Sequence, residues 1–75
     1  MDHELRQLLA QVFDVPAESI REQDDSSTIP SWDSVHHLEL IMALEQHYNI
    51  QIDTNTIANI RTVADIARAV NAAKR

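Results

Sequence analysis

Ser34 is the best-placed reactive group in this sequence: a hydroxyl preceded by Asp33 and followed by His36 and His37. A nucleophilic serine needs a base, an acid that orients the base, and a closed pocket with donors for an oxyanion. Two histidines are close in sequence, but at i+2 and i+3 of an exposed helix end they enclose nothing. A 75-residue chain has little material with which to build a pocket around them. Catalysis is therefore not expected. Asp33-Ser34 reads instead as a helix start, with Asp33 as N-cap and Ser34 in the first turn, its hydroxyl outward beside free backbone amides. That position suits covalent modification. An attached phosphate would be partly stabilised by those amides and the positive end of the helix dipole, while the Asp33 carboxylate keeps it solvated. Serines at helix starts are common, so the dipeptide alone is weak evidence.

The other polar clusters do not read as metal sites. Adjacent histidines on a helix diverge by about 100°, and His36 and His47, which share a face, are roughly 16 Å apart along the axis. His36 with Glu39 supplies two ligands, which do not make a site. Asp24-Asp25-Ser26-Ser27 lacks the glycine and terminal glutamate of a calcium loop and reads as a solvated loop.

Composition narrows the class. The net charge is −6, and residues 1–53 hold eleven of the twelve acids against Arg6 and Arg21, whereas Asp65 faces Arg61, Arg68, Lys74 and Arg75 in the remainder. Nucleic acid wants a basic patch, so it is not an expected partner; basic protein surfaces are favoured. Hydrophobic residues make up 44%, enough for a packed core. The longest apolar run, Leu40–Leu44, is far too short to span a membrane. The acidic start does not read as a signal peptide, and a cytoplasmic monomer is expected. The absence of cysteine fits a reducing compartment and leaves the polypeptide without a thiol.

Periodicity supplies the elements that must position Ser34. Leu5, Leu8, Leu9, Val12 and Phe13 mark one face of a helix over about 2–13, stopped by Val15–Pro16. Residues 15–32 form a long connection with Ile20, Ile29 and Trp32 as anchors; loops of this length tend to be functional. A second helix covers about 33–48, apolar on most sides, with His36, Glu39, Ala43 and Gln46 as a mostly polar stripe and Asn49 as a left-handed cap. Ile50–Gln51–Ile52 is too short for a useful strand. Residues 54–59 predict a one-turn helix presenting Ile57. Thr62 with Asp65 predicts a variant capping box for a last helix buried through Val63, Ile66, Ala67 and Val70, with Lys74 and Arg75 at its C-terminal end. The expected fold is all-α: one domain over residues 1–75, a small bundle of three main helices and one short one, with a long first loop.

The run Asp33-Ser34-Val35-His36-His37-Leu38-Glu39-Leu40-Ile41-Met42-Ala43-Leu44-Glu45-Gln46-His47-Tyr48-Asn49-Ile50-Gln51-Ile52 closely resembles the acyl carrier protein family. The likeness is to its Asp-Ser-Leu attachment motif, the apolar and acidic helix that follows, and the aromatic-x-Ile-x-Ile sequence that ends it. Val15-Pro16-Ala17-Glu18-Ser19-Ile20 resembles the segment after the family's first helix, and Thr62-Val63 the start of its last, so nearly the whole chain is covered.

The resemblance implies a 4′-phosphopantetheine arm transferred from coenzyme A to Ser34 by a phosphopantetheinyl transferase that reads Asp33. Acyl or aminoacyl groups would ride on its thiol as thioesters and be loaded and processed by partner enzymes. Glu39, Met42 and Glu45, with His36 and Gln46 on the same stripe, match the family's partner-docking surface. Leu38, Leu44, Ile52, Ile57, Ile60 and Ile66 match an interior that can shelter the attached chain in many relatives, although from sequence alone ordinary core packing is the better account of all six. There are departures. Val35 replaces the usual leucine, and Trp32 stands where the fatty-acid carriers have small residues, as in discrete carriers of specialised pathways. His36 and Gln46 occupy positions commonly acidic in the fatty-acid members. Protonation of His36 would make this face less negative on mild acidification. The rival reading is a non-covalent helical docking module with the same fold; the intact Asp33-Ser34 pair argues against it.

Overall fold

The computed structural model describes residues 2–74. Helix α1 spans His3–Phe13, begun by the Asp2 carboxylate accepting from the Leu5 amide at 2.8 Å. Its period buries Leu5, Leu9 and Phe13. It ends before Val15–Pro16, because Asp14 turns left-handed (φ 56°) and its amide and that of Val15 both return to the Ala10 carbonyl. Asp14 and Asn49 (φ 55°) take the positive-φ caps in a chain without glycine, a conformation that short polar side chains tolerate best.

Helix α2 spans Ser34–Tyr48, α3 Thr54–Asn59 and α4 Val63–Ala73; no strand forms among the described residues. Asp53 caps α3, and Thr62 with Asp65 closes a full capping box on α4. On α4, Ala69 is buried in place of the expected Ala67, which lies half-buried at the edge. Arg75, expected at the end of this helix, lies outside the described residues; Lys74 rests its ammonium 5.1 Å from the Tyr48 ring centroid. The Glu4 carboxylate meets His47, joining the start of α1 to the end of α2.

The long connection is folded onto the bundle rather than splayed from it. Ile20, Ile29 and Trp32 are buried, as their spacing among polar residues suggested. A 3-10 turn spans Ala17–Ser19. Arg6 Nη1 donates to the Ile20 carbonyl at 2.9 Å, and Ser31 Oγ to the Phe13 carbonyl at 2.7 Å. Further along, the loop is laced to the start of α4: Asp25 bridges Thr62 antiparallel, while Val63 and Ala64 donate to the carbonyls of Asp24 and Glu22. That lacing corrects the expectation of a solvated acidic segment. Asp24 is only 5% exposed, its carboxylate accepting from the Arg21 amide at 2.8 Å, and Asp25 accepts from both the amide and hydroxyl of Ser27. The radius of gyration, 11.1 Å, is that of a chain of this length with every segment packed.

The core is one cluster to which every helix of α1, α2 and α4 contributes, with Leu9, Leu40, Leu44, Val63 and Ile66 at its centre. Helix α3 contributes no fully buried residue. It is held by half-buried Ile57 and by Ile60 just past its end.

Candidate functional site

The loop delivers Ser34 to the first position of α2. The Trp32 amide returns to the Ile29 carbonyl and Asp33 adopts an extended backbone, which aims its carboxylate at the amide of His36 (2.9 Å). Ser34 is exposed, and among the described residues its hydroxyl and the amides of Ser34 and Val35 have no hydrogen-bond partner. An acceptor-rich group linked to Oγ therefore meets two unclaimed donors at the positive end of a 15-residue helix.

Neither histidine is arranged as a base for Ser34. His36 Nδ1 faces Asp33 Oδ1 at 2.9 Å. His37 lies between the Trp32 indole and the Ile57 carbonyl. No cluster of three or more metal-binding side chains occurs among the described residues.

The Asp33–His36 pair sets the charge beside Ser34. Its hydrogen bond to Asp33 raises His36 above the ordinary histidine value of about 6.5, helped by the charges of Asp33 and Glu39. Asp33 is lowered, first by the His36 amide and then by its imidazole. The signs are opposite. The His36 contribution is complete below the ordinary histidine value and is lost as pH rises through the elevated one. The Asp33 contribution is complete above the ordinary carboxylate value and is lost as pH falls through the depressed one. The pair is thus whole in mildly acidic solution, and above it Asp33 carries an uncompensated negative charge. In an NMR titration His36 is expected to have a pKa above 6.5, and Asp33→Asn, which keeps an N-cap, to bring it back toward the ordinary value. An unchanged His36 pKa in Asp33→Asn would show that the pair does not form in solution.

The face of α2 differs from expectation. Val35, Leu38 and Met42, at i, i+3 and i+7, are 63–65% exposed and form an apolar stripe beside Glu39. Leu38, expected in the interior, is therefore on the surface: the helix packs through Leu40, Ile41 and Leu44, and the opposite side looks out. Met42, Glu45 and Gln46 meet in a shallow depression with Asn49, Ile50 and Gln51, some 530 Å³ in volume. Glu45 is half-committed there, because its Oε2 accepts from the Ile52 amide at 2.9 Å. Of the other proposed interior residues, Leu44, Ile52, Ile60 and Ile66 are buried in the core and Ile57 packs against it. An open groove of about 640 Å³ runs beside Ser34, lined by Asp25, Trp32, His37, Leu38, Ile60 and Arg61 among others. Arg61 entered the sequence reading only as a charge, and His37 only as a base for Ser34; neither was placed in a groove. The groove joins residues from the loop, α2 and the segment after α3, and spacing along the chain carries no trace of that.

The family model described as the phosphopantetheine attachment site matches residues 3–70. Acyl carrier protein 3 of Ralstonia nicotianae is 29% identical over 70 residues, 93% of this chain and 80% of that protein. The chain belongs to the acyl carrier protein family. The acyl carrier protein of Wolinella succinogenes is also similar, 28% identical over 95% of this chain and 93% of its own length. The solution structure of a holo acyl carrier protein from Geobacter metallireducens superposes with a TM-score of 0.83 at 30% identity, covering 93% of this chain and 80% of that one. Membership makes this acyl carrier family chain a carrier rather than an enzyme, with 4′-phosphopantetheine as its prosthetic group, and disfavours the non-covalent module. Modifying and cargo-processing enzymes are its partners in general terms. No helix among the described residues is long and apolar enough to cross a membrane.

Proposed function

We propose that Ser34 bears the 4′-phosphopantetheine arm and that the chain, acting as one carrier unit over residues 1–75, presents acyl or aminoacyl thioesters to partner enzymes. The observation that carries this reading is the unengaged, exposed Ser34 hydroxyl at the first position of α2, next to the Asp33 cap. Attachment is a phosphoryl transfer. Ser34 Oγ attacks the phosphorus of coenzyme A that bears the pantetheine, the pyrophosphate bond breaks, and 3′-phosphoadenosine-5′-phosphate leaves. The hydroxyl proton passes to a base of the transferase. The arm supplies the thiol that this cysteine-free chain lacks and reach toward other active sites.

Asp33 orders the helix start that the transferase reads. His36, Glu39, Met42, Glu45 and Gln46 make the partner-facing side of α2. The exposed Val35–Leu38–Met42 stripe, and the histidine and glutamine at positions where fatty-acid carriers are acidic, favour a dedicated partner of a specialised pathway over promiscuous primary enzymes. Such a partner would bind more through apolar contact and less through charge. A monomer working in the cytoplasm fits this role.

Incubation of the wild-type chain with coenzyme A and a broad-specificity phosphopantetheinyl transferase is expected to add one phosphopantetheine mass per chain, located by fragmentation to the peptide containing Ser34. No mass gain overturns the reading.

A further inference from the structure

His37 has no part in the attachment chemistry, yet both of its ring nitrogens are engaged. The Trp32 indole only donates, and its Nε1 lies 3.0 Å from His37 Nδ1. Nδ1 is therefore the acceptor, and the ring proton sits on Nε2, 3.1 Å from the Ile57 carbonyl oxygen. A carbonyl only accepts, so neutral imidazole protonated on Nε2 is the one species that satisfies both bonds. The two ring planes are 17° apart, as suits an N–H aimed at a ring lone pair. The His37 amide meanwhile donates to the Asp33 carbonyl at 2.8 Å. One residue thus grips both residues ahead of Ser34, Trp32 by its side chain and Asp33 by its backbone.

Counted from the Asp33 cap, Trp32 is the residue before it and His37 the fourth of the helix. In many helices an apolar pair at these two positions packs together and fixes the angle at which the chain enters. Here the pair is joined by a hydrogen bond, which sets direction as well as distance. Its outer end is fixed: Trp32 is 6% exposed, with its ring centroid 4.9 Å from that of Phe13 at the end of α1. Ser34 is the first residue of the helix so held, and the entry angle decides where its Cα–Cβ bond points.

Given Ser34 as the attachment point, on which this rests, we infer that His37 is a positioning residue for arm transfer. Its bond to the Trp32 indole staples the start of α2 in the orientation that offers Ser34 Oγ to the transferase. A nucleophile misplaced by about 1 Å can slow a transfer step roughly 100-fold. The second bond, to Ile57, satisfies a carbonyl in the last turn of α3 and has no bearing on the entry angle.

The test compares arm transfer from coenzyme A by a broad-specificity transferase in wild type, His37→Asn, His37→Gln and His37→Phe, at a temperature at which circular dichroism shows them folded. Asparagine puts an oxygen acceptor where Nδ1 stands and keeps the bond to Trp32. Glutamine puts an amide donor where Nε2 stands and keeps only the bond to Ile57; phenylalanine keeps neither. Each lost hydrogen bond shifts an equilibrium by a factor of about 2–10. kcat/KM, followed by intact mass, is therefore expected to fall roughly 2–10-fold in His37→Gln and His37→Phe, and to stay within about twofold of wild type in His37→Asn. Melting temperatures are not expected to separate His37→Asn from His37→Gln, because each gives up one bond of the two. Trp32 is the sole tryptophan, so its indole proton is a single reporter. Its exchange is expected to accelerate in His37→Gln and His37→Phe only, and long-range 15N–1H spectra of the wild type to show His37 protonated on Nε2 and bare on Nδ1. Equal kcat/KM in His37→Asn and His37→Gln, or a slower His37→Asn, overturns the staple, as does the opposite tautomer. Absence of any modification in the wild type is a different result: it removes Ser34 as the attachment point, and the role of His37 with it.

Discussion

Ser34→Ala is expected to gain no mass from coenzyme A under conditions in which the wild-type chain is fully modified. The chain has five serines, and the structure separates them. Ser19 Oγ donates to the Pro16 carbonyl at 2.7 Å, Ser27 Oγ to Asp25 Oδ1 at 2.6 Å, and Ser31 Oγ to the Phe13 carbonyl at 2.7 Å in a partly buried setting. Modifying any of these three breaks a bond that holds the loop. Ser26 is exposed and lines the same groove, but it sits in a turn rather than at a helix start and has no free first-turn amides beside it. Only Ser34 combines an unengaged hydroxyl with those donors. The substitution leaves Asp33 and its cap on His36 in place, so stability should change by no more than about 0.5 kcal/mol. Loss of modification with an unchanged melting curve would isolate the hydroxyl itself. Continued modification of Ser34→Ala would place the arm elsewhere, Ser26 being the first position to examine.

The second large effect is expected in the core. Leu44 has no exposed surface and packs with Leu9, Leu40, Val63 and Ile66 in the central cluster. Leu44→Ala removes transfer free energy and leaves a cavity, a loss of about 2–5 kcal/mol. A chain of this length has roughly 4–11 kcal/mol in total. The melting temperature should fall on the order of 10–30 °C, measured by circular dichroism. This also separates the two roles open to Leu44. If it lined a standing void kept for cargo, truncation would remove fewer contacts and the cost would fall to the low end of that range, about 2 kcal/mol. A small loss would show that the interior is loosely filled.

Local rules made most of the fold legible. The i, i+3, i+4 period of Leu5 to Phe13, the Asp33 cap, the left-handed Asn49 and the Thr62–Asp65 box each depend on neighbours within a turn, and each occurs in the structure. The exposed helix start at Ser34, where we propose the arm is attached, was legible for the same reason: an N-cap and the residue after it are local features. The orientation of α2 was not. A helix apolar on nearly every side has no preferred face in sequence, so Leu38 could be assigned to the interior although it is 63% exposed. Asp24 was misread because its burial depends on α4 docking against the loop, some forty positions away. The His37 contact needed Trp32 and Ile57 brought together from two different elements.

That docking also bears on how the molecule assembles. Contacts along α1, α2 and α4 are local and can form within microseconds, but the pairing of residues 22–25 with 62–64 closes a loop of about 40 residues. Such closure is entropically unfavourable until both ends are nearly in place. Ordering of the segment that leads to Ser34 therefore belongs to the late side of the folding barrier, and substitutions at Asp24 or Val63 should speed unfolding more than they slow folding. A nascent chain still in the ribosome's exit tunnel, with residues 62–64 not yet free, cannot complete that pairing.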